Sequence, residues 1–269
     1  MRGALNRALG HFQRMNLQCK IDLALGYKAG PQIARVLSED WCARELYCPA
    51  CDSDQLLQSK PNSPAVDFNC GECQQLFQLK SLRGWNPNKI VDGGYDAMIR
   101  AIKMDRTPNL LVLQYSSSWL IQNLLLVPRV FFVESVVEKR NPLRPQAKRA
   151  GWVGCNILLN QIPPDGRIAM VSAGVPVRKE RVRQEFSRIS GLGELPSSLR
   201  GWTVDVLNAV RQIGKSRFSL QELYEFESAM KSLHPKNQNV RPKMRQQLQV
   251  LRDLGLLDFV SPGHYRMKS

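Results

Sequence analysis

The sequence predicts an α/β chain in two parts: a mixed helix-and-strand domain with a four-cysteine insertion, then a smaller winged-helix domain. Three observations predict it. Short apolar runs suited to buried strands, residues 110–115 (LLVLQY) and 123–127 (NLLLV), are mixed with stretches of helical periodicity. Two C-x-x-C pairs, Cys48/Cys51 and Cys70/Cys73, stand eighteen residues apart. Beyond the Gly-, Pro- and Ser-rich stretch SGLGELPSS (190–198), which reads as a linker, the pattern turns to three helices and a β-wing. The expected domains are residues 1–192 and 193–269.

Taken in order, residues 2–46 read as helical, with Ile33, Val36 and Leu37 at helical spacing and a second short helical piece led by Glu39 and Asp40. Residues 65–80 read as two short strands around the second cysteine pair, and 166–171 as a further strand. In the C-terminal part, residues 202–213 form the first helix. Residues 218–233 form the second, opened by a capping box in which Ser219 and Glu222 satisfy each other's backbone amides. Residues 240–254 form the third. Residues 256–260, a Pro262-Gly263 turn and Tyr265-Arg266 then read as the wing.

Composition narrows the function. A hydrophobic content of 43% supports a buried core and excludes wholesale disorder. Lys and Arg total 38 against 23 acidic residues, a net charge of +15, which favours a polyanionic partner through counterion release. The excess falls in two regions, with eleven basic and three acidic residues over 139–188 and twelve against six over 196–269. Two basic regions suit two surfaces on one long polyanion. No stretch has the length of a membrane span or a secretory core, so a soluble, cytoplasmic protein with no membrane partner is expected.

Seven cysteines in such a compartment point to metal or free thiol rather than disulfides. The two C-x-x-C pairs have the spacing of a tetrahedral zinc site, one thiolate knuckle from each pair. With all four ligands supplied by protein, that zinc is structural. Cys19, Cys42 and Cys155 have no such partners and read as small buried apolar residues.

The second knuckle also locates candidate chemistry. If it forms the tip of a hairpin, Asp67 lies on the first strand, while Gln78 and Lys80 project from one face of the second because side chains alternate with period two. A carboxylate, an amide oxygen and an ammonium are then expected on one face. The run P-x-x-D (Pro64 to Asp67), ten intervening residues and Q-x-K (Gln78 to Lys80) resembles the signature of the PD-(D/E)XK nucleases. Over most of its length the chain resembles the DpnI family of methyl-directed type II restriction endonucleases. The segments YCPAC (47–51), VDF (66–68), LKS (79–81), AKRAGWVGCNI (147–157), RGWT (200–203) and RQQLQVLRD (245–253) carry that resemblance.

The resemblance implies a PD-(D/E)XK restriction-endonuclease-like domain with a zinc-binding insertion, followed by a winged helix that reads DNA. It implies cleavage of double-stranded DNA at GATC carrying methylated adenine. It places catalytic magnesium on the Asp67 carboxylate, Gln78 and the Leu79 carbonyl, with Lys80 orienting the attacking water. Gln78 departs from the glutamate that the family leads one to expect. Its amide oxygen can ligate magnesium but lacks the charge, and unit charges about 4 Å apart attract by roughly 4 kcal/mol at an effective dielectric of 20. Two readings follow: a nuclease with a raised metal requirement, or a non-cleaving reader of methylated DNA whose site Gln78 has disabled.

On the third C-terminal helix, Val240, Met244, Leu248 and Leu251 form a buried stripe, and Arg241, Arg245, Gln249 and Arg252 repeat one position on, flanked by Gln246 and Gln247. Arg suits guanine and Gln adenine in the major groove, so this is a candidate recognition helix, with a plain solvated face as the alternative. Arg217, Arg266 and Lys268 suit phosphates. Lys148 and Arg149 stand beside Trp152, which by resemblance is a methyl-adenine contact and is otherwise a core tryptophan. Trp202 reads as core. A monomer is allowed, although double-strand cleavage by one needs two successive nicks.

Overall fold

A computed structural model describes residues 15–60, 63, 65–84 and 86–268. The part of the expected N-terminal helix before residue 15, and Pro64, lie outside the described residues. Within them, helix begins late. A 3-10 turn at Ile21–Ala24 precedes one continuous helix, α1 (Gly30–Glu45), with Pro31 in its first turn where no amide is needed. Glu39 and Asp40 sit mid-helix and do not open a second piece, because Ala34, Leu37, Ser38, Trp41 and Cys42 form one uninterrupted buried stripe.

The chain then runs through β1 (Leu57–Gln58), β2 (Phe68–Asn69) and β3 (Leu76–Leu82), an antiparallel meander. A crossover made of β4 (Lys89–Gly94) and α2 (Tyr95–Lys103) leads to β5 (Asn109–Tyr115), which pairs parallel with β3. Next come β6 (Ile121–Val127), β7 (Val137–Lys139), β8 (Gly154–Leu158), β9 (Ile168–Ser172), β10 (Val175–Pro176) and α3 (Lys179–Arg188). The main sheet has the order β1-β2-β3-β5-β6-β9-β10, and β4-β8-β7 form a second sheet that the periodicity did not predict.

Strand β5 explains why its sequence is apolar without alternation. Leu111 and Leu113 point into a core shared with Leu37 and Trp41 of α1, while Leu110 and Val112 point into the opposite core with Ile90 of β4 and Ile102 of α2. A central strand covered on both faces buries every residue.

The C-terminal part consists of α4 (Ser197–Ile213), β11 (Arg217–Ser219), α5 (Leu220–Tyr224), α6 (Glu227–Leu233), α7 (Val240–Asp253), β12 (Leu257–Ser261) and β13 (His264–Met267). The winged helix is as expected, and the capping box at Ser219 and Glu222 is formed. The second helix differs: Arg217–Ser219 pair with β13 as a third wing strand, and the remainder breaks into two short helices at Glu225 and Phe226. Phe218 is drawn into the strand because it packs against Tyr265, ring centroids 5.5 Å apart.

The stretch 190–198 is no free linker. Residues Ser190–Glu194 form a 3-10 turn with Leu192 fully buried. Its glycines allow close packing: a Cβ on Gly191 would lie 2.8 Å from Leu254, and one on Gly193 would lie 3.3 Å from Val130. One apolar core accordingly runs from Val130, Phe131 and Ile162 into Trp202, Val206, Leu207 and Val210 of α4. Buried ion pairs cross the same joint. Asp165, with a fully buried side chain, accepts from Arg188 and from Arg211 of α4, and buried Arg200 pairs with Asp105.

Candidate functional site

The site is built on a cysteine staple. Cys48 and Cys51 follow α1, and Cys70 and Cys73 form the β2–β3 turn, where Gln74 adopts the left-handed region (φ 60°). All four sulfurs lie within 4.8 Å of one another, with Cys48–Cys73 and Cys51–Cys70 Sγ separations of 3.5 Å. Four sulfurs about 2.3 Å from one centre would be spaced like this, so the cluster fits zinc. At Cys70 burial opposes ionisation, but the Cys73 and Glu72 amides outweigh it and bring the thiol down to about 6. Arg183 of α3 braces the first knuckle, donating to the Cys48 carbonyl (3.1 Å) and the Ser53 carbonyl (3.0 Å). Cys19, Cys42 and Cys155 are buried, as expected.

This staple ties the end of α1 to the hairpin that carries the motif residues. Asp67 lies just before β2, and its carboxylate accepts from the Leu79 amide at 2.6 Å. An extended residue presents its N–H and C=O to the same edge, so the Leu79 carbonyl shares that edge with Asp67. Gln78 and Lys80 project from one face of β3, together with Leu82, which packs into the core that holds Ile90. Among the described residues no hydrogen bond or ion pair joins Asp67 to Gln78 or Lys80.

Those two side chains instead meet a carboxylate that no motif indicates. Asp92 Oδ1 lies 2.6 Å from Lys80 Nζ and 3.2 Å from Gln78 Nε2, and its side chain is 3% exposed. It stands on β4, two residues beyond Ile90 on the same buried face. A carboxylate can only accept, so the Gln78 nitrogen must face Asp92 and its amide oxygen is turned away. Beside Asp67 and Leu79 opens a cleft of about 460 Å³ between α1 and β3, also lined by Arg35, Glu39, Arg83 and Tyr115. Glu39 accepts from Arg35 at 2.7 Å, leaving Arg83 exposed as a second cation on the cleft.

Lys148, Arg149 and Trp152 lie in the loop between β7 and β8. Trp152 is half-buried, not core: Arg149 stacks over its ring at 4.5 Å, and the ring lies against Gly154, where a Cβ would come within 2.9 Å. Lys148 and Arg149 are exposed. Trp202 is core, stacked on His234 at 3.8 Å.

On α7 the apolar stripe of Val240, Met244, Leu248 and Leu251 is buried, and Arg241, Arg245, Gln246, Gln249 and Arg252 are exposed. Gln247 does not flank that face. It is fully buried and accepts from the Thr203 hydroxyl at 2.8 Å, since it falls three residues after Met244 and four before Leu251 on the inner side. Arg241 is held by Glu227 (2.6 Å) and Tyr224, and Arg252 by Asp253 (2.8 Å), whereas Arg245 makes no ion pair among the described residues. Arg266 and Lys268 share Asp258, and Arg217 is exposed beside Arg266 on the wing.

The family model of DpnI, described as the Dam-replacing family, matches residues 15–194, and that of the Dam-replacing helix-turn-helix domain matches residues 198–267. The chain belongs to the DpnI family. Membership makes it a restriction-endonuclease relative of the methylation-dependent kind, and the second match gives the winged helix a DNA-binding role. The two matched segments meet at the turn into α4. No helix among the described residues is long and apolar enough to cross a membrane.

Proposed function

We propose that this chain is a magnesium-dependent, methyl-directed type II endonuclease that hydrolyses double-stranded DNA at adenine-methylated GATC. The observation that carries the reading is the gathering of Gln78, Lys80 and Asp92 on β3 and β4, beside the edge where Asp67 and the Leu79 carbonyl meet. This donor set is all oxygen, as magnesium prefers, with Asp67, Leu79 and Gln78 as its ligands. Magnesium bound there supplies Lewis-acid polarisation of the scissile phosphate and a more acidic water.

The chain's own groups do the rest. Asp67 supplies a carboxylate at the strand edge. Lys80, held by Asp92 and partly exposed, orients water and offsets charge developing on the phosphate. Arg245, Gln246 and Gln249, with Arg241 and Arg252 beside them, read base edges from α7, while Arg217, Arg266 and Lys268 on the wing set register on phosphates. Trp152, half-buried under Arg149 and near Lys148, sets an aromatic group in a basic setting, where a methyl group on a base edge would find apolar contact once Arg149 swings aside.

The test is cleavage of two plasmids, one adenine-methylated at GATC and one not, by purified protein with magnesium. Cutting of the methylated plasmid, lost in Asp67→Ala, supports the reading. Tight binding to methylated DNA with no cutting by the native protein, and cutting by Gln78→Glu, would make the chain a reader instead.

A further inference from the structure

We propose that Asp92 is a positioning residue that supplies the negative charge Gln78 lacks, so that Gln78 and Asp92 together do what one glutamate does alone. This rests on the nuclease reading above. Three observations carry it. Asp92 is almost fully buried, and its Oδ1 is bonded to both Gln78 and Lys80. A buried carboxylate is retained where paired groups hold it, and here both partners, Gln78 and Lys80, belong to the Q-x-K run. The bond from Gln78 Nε2 also fixes the amide, leaving its oxygen as the group turned away and free to ligate.

Charge explains the pairing. A glutamate at position 78 would set two carboxylates within hydrogen-bond distance, and like charges that close cannot both stay ionised. A glutamine there with an aspartate on β4 keeps the same number of negative charges in the site as a lone glutamate would. Lys80 is held in the same stroke, because the carboxylate that orients the amide also receives the ammonium at 2.6 Å.

The experiment titrates manganese(II) into the full chain, following the free ion by its spin-resonance signal, with zinc content and thermal melting confirming that each variant is folded. Native protein should bind manganese, and Asp67→Ala should lose that binding. Asp92→Asn, which keeps shape and removes charge, should weaken binding by about 10- to 100-fold, the usual effect of losing a group that supports a metal ligand. Gln78→Glu with Asp92→Asn returns the charge to position 78 and should restore affinity to within about threefold of native. Unchanged affinity in Asp92→Asn would overturn the proposal while leaving the nuclease reading intact, and so would a folded double variant no better than the single one. Should Asp92→Asn alone not fold, the double variant still decides. Native protein that binds no manganese and cuts no DNA would remove the nuclease reading and this proposal with it.

Discussion

Lys80 and Arg245 are both cations on the same chain, yet their surroundings give them different work. Lys80 is partly covered and locked to Asp92, so it is poised over a fixed spot. Lys80→Ala should lower cleavage by about 10²–10⁴-fold, in the range of a positioned proton-handling group, with methylated-duplex binding changed far less. Gel-shift titration beside a cleavage time course checks both halves. Arg245 is exposed and unpaired among the described residues, free to reach a base edge. Arg245→Ala should cost about 1–3 kcal/mol in binding to the preferred site and much less on unrelated DNA. Equal losses on both would make it a phosphate contact. At this scale the sequence was informative where chemistry is local. Spacing marks Asp67, Gln78 and Lys80 as candidates, and periodicity marks the stripe of α7 that the structure buries. Asp92 was invisible, since its meeting with Gln78 is made by two different sheets and leaves no spacing to read.

Among the elements, the hairpin of β2 and β3 depends on the cysteine staple. Stripping metal from the four-cysteine cluster with a strong chelator, or replacing Cys70 with Ser, should loosen the turn and, on the proposed function, end cleavage by displacing Asp67 from Leu79. Binding to structural sites of this sort contributes about 10–16 kcal/mol in isolated zinc-finger peptides, so little of the hairpin's order should survive. Metal analysis before and after chelation, with melting curves, follows this directly. The capping box at Ser219 makes an acid-sensitive prediction. Lys215 and the Ser219 amide hold the Glu222 carboxyl down to about 2, from an ordinary 4.5. Because the folded value is depressed, the stabilisation is full above about pH 4.5 and fades as pH falls toward 2. Melting temperatures of native and Glu222→Gln protein should therefore differ at pH 6 and converge only as pH falls to about 2. Elements with strong signals were legible: β5, β6, β9, α4, α7 and the capping box. Helix α2 carries a readable one too, Tyr95, Met98, Ile99 and Ile102 at helical spacing. Strands β4 and β8 carry little signal, because β4 ends on Gly93 and Gly94 and β8 starts on Gly154, with Gly94 and Gly154 lying against Trp152.

At the scale of the molecule, the joint between the two parts is what composition misread. Gly and Pro mark flexible tethers and tight packing alike, and only the partners of Gly191 and Gly193, Leu254 and Val130, tell the two apart. Asp165, its side chain fully buried, sits at the centre of that joint between two partly exposed arginines. Asp165→Ala removes the acceptor of both guanidinium groups, which water partly solvates, and should destabilise the fold by about 1–3 kcal/mol, measured by denaturant unfolding. The shared core also predicts a single cooperative transition for the whole chain. Two separated melts would show that the parts fold independently.

A joint filled with side chains turns the chain into a ruler. On the function proposed above, with reading by α7 and cutting beside β3, the span between the base recognised and the phosphate broken would be a fixed length of the fold, not a distance sampled by a swinging tether. Where the winged helix settles on a duplex, the strand edge that carries Asp67 and Leu79 has one place to be.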